Sequence, residues 1–99
     1  MDIAHSVDGV PIRLTAERWF HIVENHDDLA GHFDDVLGAI EDPDMILQGH
    51  RGSLIAVRGA GRGWYLAVIY RRLSDSDGFV ITAYFTSRVD RRKVIWKRE

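Results

Sequence analysis

The sequence predicts an α+β domain in which an N-terminal extended segment and two helices pack on one face of a four-stranded antiparallel β-meander. Apolar residues recur at helical spacing as far as residue 41, and at a period of two from Met45 onward. The breaks between the later runs are short and rich in glycine and polar residues, which favours hairpins over crossovers. Ninety-nine residues, 45% of them hydrophobic, make a single domain spanning 1–99 with a modest core. Such a chain is too small for a large cofactor-binding fold.

Ile3 to Leu14 reads as two short extended pieces around Asp8-Gly9, a dipeptide that favours a tight hairpin turn. Pro11 lacks a backbone donor, so its piece belongs at an edge. Thr15 is placed to cap a helix over Ala16 to about Asn25, with Glu17 in the first turn opposing the helix dipole. A second helix follows from the stripe Leu29, Phe33, Val36, Leu37 and Ile40. Its other face carries His32, Asp34, Asp35 and Glu41, and Asp42-Pro43-Asp44 ends it.

Met45–Gly49, Ser53–Arg58, Trp64–Leu73 and Phe79–Ser87 are strand-like runs. Alternation in the last directs Phe79, Ile81, Ala83 and Phe85 to the core and Val80, Thr82, Tyr84, Thr86 and Arg88 away from it. Closing the five-residue breaks symmetrically sets Tyr70 opposite Thr82, and Trp64 opposite both Arg58 and Arg88. The open face then carries Arg58, Trp64, Tyr70, Thr82, Tyr84, Thr86 and Arg88 around Leu54, Leu66 and Val68. Aromatic rings and guanidinium groups on one face suit single-stranded nucleic acid, through base stacking and phosphate binding. Alternating Thr and Tyr on a solvated sheet face is the plainer alternative. Asp90 to Glu99 fits either a short helix or a frayed basic tail.

Charge is divided unevenly along the chain. Residues 1–50 hold two basic and eleven acidic side chains, a net −9, whereas residues 51–99 hold eleven basic and four acidic, a net +7. The basic half calls for an anionic partner, or else the two halves attract one another across the fold. Cysteine is absent, which excludes a disulfide framework, a thiolate nucleophile and a cysteine zinc site. No apolar run approaches the ~20 residues that span a bilayer, and the first residues do not resemble a signal peptide. A cytoplasmic protein without a membrane partner is expected.

Five histidines supply groups that titrate near neutral pH. His21 and His26 sit five apart on the first helix and project about 140° from one another. No His-x-x-x-His pair occurs, so no metal site and no cofactor are expected. Metal-free cleavage of RNA needs a base for the 2′-hydroxyl, an acid for the leaving oxygen and cations for the phosphorane, which His, Tyr and Arg can provide. Gly59-Ala60-Gly61-Arg62-Gly63 lacks the Lys-Ser/Thr ending of a phosphate-binding loop and reads as a hairpin connection.

Ile12-Arg13-Leu14-Thr15, Glu17, Trp19-Phe20-His21-Ile22, His26, Asp42-Pro43-Asp44 and Ile81-Thr82-Ala83-Tyr84 occur in that order between Val10 and Arg88. This succession resembles the small phage- and toxin-associated domains of the barnase–EndoU–colicin–RelE-like nuclease superfamily. Many relatives follow the later His with Pro-Glu, where this chain has Asp27-Asp28. The resemblance implies a metal-independent endoribonuclease, often a toxin or effector, that acts on single-stranded RNA or tRNA and leaves a 2′,3′-cyclic phosphate. It implies His21 and His26 as acid–base groups, and Thr82, Tyr84 and Thr86 as last-strand site positions. RNA, whether tRNA or mRNA, would be the substrate, and a cognate antitoxin or immunity protein a further partner. The alternative is a catalytically inactive RNA-binding or protein-interaction module of the same fold.

Overall fold

The computed structural model describes all 99 residues. The strands are β1 (Asp2–His5), β2 (Pro11–Leu14), β3 (Met45–Gln48), β4 (Leu54–Gly61), β5 (Trp64–Ser74), β6 (Asp77–Thr86) and β7 (Val94–Lys97). Two helices, α1 (Ala16–Asn25) and α2 (Phe33–Glu41), lie between β2 and β3. The α+β class agrees with the sequence reading, but the four-stranded antiparallel meander is corrected. There is one seven-stranded mixed sheet in the order β1-β2-β6-β5-β4-β3-β7.

The meander β3 to β6 forms its centre. On one side β2 joins β6 in parallel through Ile12–Gly78 and Arg13–Phe79, and carries β1 with it. On the other, β7 pairs antiparallel with β3. Both additions are four-residue strands whose partners are remote in sequence, so local periodicity carries no signal of their pairing. Side chains fix both. Arg13 grips the Asp77 carboxylate at 2.8 and 3.2 Å. The Arg98 amide bonds the Asp44 carbonyl at 3.0 Å, and its guanidinium bonds the Asp42 carbonyl at 2.9 Å. The C-terminal segment is thus neither a regular α-helix nor a frayed tail.

Thr15 is extended (φ −81°, ψ 156°) and its Oγ1 accepts the Arg18 amide at 3.1 Å, starting α1 where the sequence places it. The second helix begins later than its apolar stripe. Leu29 is buried in a separate 3₁₀ turn, and Gly31 at φ +85° takes the chain out of helix before α2. Trp19 of α1 meets Phe33 of α2 edge to face at 5.2 Å. Beneath them Ile12, Leu14, Val36, Ile40, Val68 and Val80 are almost fully excluded from solvent. At roughly 1.5–3 kcal/mol for each such side chain, this layer holds the helices to the sheet.

The turns reset the register. Strand β4 runs on to Gly61, so the hairpin closes through Arg62 and Gly63 alone, both at positive φ (56° and 80°), as a two-residue turn with right-handed strand twist requires. Trp64 therefore faces Gly61, and Arg58 faces Leu66. In β6 an extra residue at Ile81 bulges between the Ile69–Thr82 and Tyr70–Val80 pairs. The bulge turns Val80 into the helix-side core and sets Tyr70 there opposite it, instead of opposite Thr82 on the open face.

The face away from the helices is itself partly covered. After β6 the chain crosses it as a strap, residues 87–93, before entering β7. Val89 and Val94 pack on a second small core of Met45, Leu47 and Val57. Arg91 secures the strap through a 3.0 Å hydrogen bond to the Tyr65 hydroxyl. No helix is long and apolar enough to cross a membrane.

Candidate functional site

Strap and sheet border a half-open cavity of about 300 Å3 on this face. Ile55, Val57 and Ala67 floor it, Leu47 and Val89 wall it, and Tyr84, Thr86, Arg88, His50 and Lys93 bring polar groups to it. Small residues in the central strands leave the space, since Tyr84 pairs with Ala67 and Ala67 with Val57.

His26 reaches this face from the other side of the sheet. Helix α1 packs against β6 beyond its short pairing with β2, and ends at His26, whose amide donates to the Ile22 carbonyl at 2.8 Å. The His26 and Tyr84 rings lie 6.1 Å apart at an interplanar angle of 35°. Two residues on, the Thr86 hydroxyl accepts the Arg88 amide and donates to the Arg88 carbonyl, both at 3.1 Å, fixing the backbone from which Arg88 projects.

The cations sort into two kinds. Arg13, Arg58, Arg72, Arg92 and Arg98 form the molecule's arginine–carboxylate pairs, while Arg88 and Lys93 take part in none. Arg58, Arg72 and Arg98 pair with Asp42 and Asp8 of the acidic half, so part of the charge division along the chain is an internal clamp. Asp90, the one carboxylate on the cavity, is turned to the strap. Hydrogen bonds from the Arg92 side chain and amide hold its carboxyl below the usual carboxylate range.

The remaining expected site residues lie elsewhere. His21 is exposed on α1, its Nδ1 3.5 Å from Glu24. Trp64 sits half-exposed beside the Arg62-Gly63 turn. Thr82 shares the Tyr84 face but does not line the cavity. Tyr70 is 1% exposed in the helix-side core, and burial with the nearby Asp8 charge pushes its phenol up to about 12. Leu54, Leu66 and Val68 turn to that same side.

Arg58 is also on the helix side, 3.4 Å from the Gly38 carbonyl and 3.8 Å from Asp42. It lines a larger cavity of about 530 Å3 with His32, Asp34 and Asp35. Those carboxylates oppose a phosphodiester, so size is a poorer guide here than charge. Sequence reasoning missed His50 and Lys93, because the first lies in turn material and the second in the unassigned tail. No three or more His, Asp or Glu side chains converge as a metal-binding cluster.

Comparison with protein-family models, curated proteins and solved structures finds no match.

Proposed function

We propose that the chain is a metal-independent endoribonuclease, toxin- or effector-like, that cleaves single-stranded RNA or tRNA by attack of the 2′-hydroxyl on the adjacent phosphodiester. The observation that carries the reading is the contact of His26 with Tyr84 at the end of a cavity holding two cations without carboxylate partners. Arg88 would oppose the charge that grows on phosphorus, while Lys93, entering beside the start of β7, would add positive charge along the cavity. The Tyr84 hydroxyl would orient the phosphate while Thr86, bonded to the Arg88 backbone, holds Arg88 in place. His26 would move one of the two protons and water the other. His21 drops out of this arrangement, since it stands exposed on α1 beside Glu24 and Phe20, whereas His26 meets Tyr84, which lines the cavity.

The products would be a 2′,3′-cyclic phosphate and a free 5′-hydroxyl. We place the activity in the cytoplasm, with a cognate antitoxin or immunity protein as the partner that restrains it.

The test is incubation of the purified protein with labelled tRNA and mixed-sequence single-stranded RNA in EDTA, beside His26→Ala and Tyr84→Phe. Fragments ending in cyclic phosphate, lost in folded His26→Ala, support the reading. Intact RNA with salt-sensitive binding supports the inert RNA-binding module instead, and intact RNA without binding a protein-interaction module.

A further inference from the structure

We infer that the cavity under the strap is a subsite for one unstacked nucleotide, with its phosphate at Arg88 and its base against His50. The inference rests on the proposal that this face meets RNA, but requires only binding.

The cavity has two chemically different ends. Tyr84 lies in the row Tyr84–Ala67–Val57–Met45, and the β3–β4 turn begins beyond the row Gln48–Leu54. Three residues along β3 separate these rows, ~10 Å at the rise of a strand. That is about the reach of a nucleotide from its phosphate to the far edge of its base. Arg88, its backbone tied to Thr86 just beyond the first row and its side chain in no ion pair, lines the cavity from that end. The apolar Leu47, Ile55, Val57 and Val89 line it between the ends. Such a slot takes a base ring once it leaves the stack, and an imidazole at its far end can stack on or hydrogen-bond to that base.

His50 is held there by a loop that has little freedom. The Ser53 amide and hydroxyl both donate to the His50 carbonyl, at 3.1 and 2.8 Å, and Ser53 is 4% exposed. The Gly49 amide donates to the Ser53 carbonyl at 2.9 Å, and a Cβ on Gly49 would stand 2.4 Å from the Ser53 hydroxyl. Arg51 is left-handed at φ 53° and ψ 43°, an unfavourable conformation for a residue with a side chain, and Arg71 donates to its carbonyl. A turn tied in this way fixes the His50 backbone at the edge of the cavity, which lowers the backbone entropy lost on binding.

The probes are inorganic phosphate and the four nucleoside 3′-monophosphates, titrated into the full-length protein and followed by NMR at the Arg88 and His50 resonances. Phosphate should move Arg88 alone, whereas at least one nucleotide should move both. His50→Ala, at an exposed position, should weaken that nucleotide by roughly fivefold or more, the loss of one stacked base, and leave phosphate affinity unchanged. If nucleotides move Arg88 and leave His50 still, or bind His50→Ala as tightly as wild type, the subsite is refuted. Absence of any response to nucleotides refutes it as well. Nucleotide binding at both ends without RNA cleavage would sustain the subsite and defeat the nuclease reading.

Discussion

A Cβ placed on Gly78 would lie 2.6 Å from Ile12 Cδ1 and 2.7 Å from the Arg71 carbonyl oxygen. The parallel junction of β2 with β6 therefore depends on a position without a side chain. Gly78→Ala should lower stability by ~1–3 kcal/mol, the range for forcing extra atoms into a packed site. Adding Ile12→Val should not restore it, because the backbone carbonyl cannot move aside. Urea unfolding of the three proteins checks both statements.

At the opposite end of the sheet, Arg98 ties β7 to the turn after α2. Its pairs with Asp42 and Asp44 are about half exposed, so solvent screening keeps the global loss in Arg98→Ala to ~1 kcal/mol or less. The local effect should be larger. Hydrogen exchange at the β7 amides should quicken well before global unfolding, whereas the β5 amides should keep their protection.

These two junctions mark the limit of what was legible in the sequence. Thr15 located α1 and the period-two runs located the central strands, because caps and alternation act over a few residues. The Ile12–Gly78 pairing depends on a contact between remote residues, and no local pattern encodes it. The bulge at Ile81 had a further effect, since one extra residue reverses the face of everything before it. Val80 and Tyr70 consequently belong to the core, while Thr82, Tyr84 and Thr86, beyond the bulge, keep the outward direction their alternation gave. Arg58 lies on the helix side for the same reason, since the two-residue turn moves its partner from Trp64 to Leu66 on one face of β5. That whole face, with Val68 and Tyr70, is the one the bulge parts from Thr82 and Tyr84.

Tyr70 gives a pH dependence with a definite sign. Burial, followed by the Asp8 charge, raises its phenol to about 12, above the value near 10 of an unfolded chain. The native state thus holds the proton more tightly. The associated stability is complete below about pH 10 and is lost as pH rises through about 12. Tyr70→Phe should remove this alkaline limb from the stability profile, as measured by unfolding at intervals across that range.

Arg88 and Arg58, which alternation alone places on one face, should behave differently toward RNA. Arg88→Ala should weaken binding and reduce the slope of log affinity against log salt by about 1, the signature of one lost phosphate contact. Arg58→Ala should change neither quantity, because that side chain lies against Gly38 and Asp42 across the sheet. Salt titrations of the two variants beside wild type separate these outcomes.

The most direct test remains cleavage of labelled single-stranded RNA and tRNA in EDTA by wild type and His26→Ala. The expected result is fragments ending in 2′,3′-cyclic phosphate, formed about 10²–10⁴-fold more slowly by a His26→Ala protein with an unchanged melting temperature. RNA left intact by wild type, or cut equally fast by the variant, would contradict the assignment of this face as a His26-dependent nuclease site.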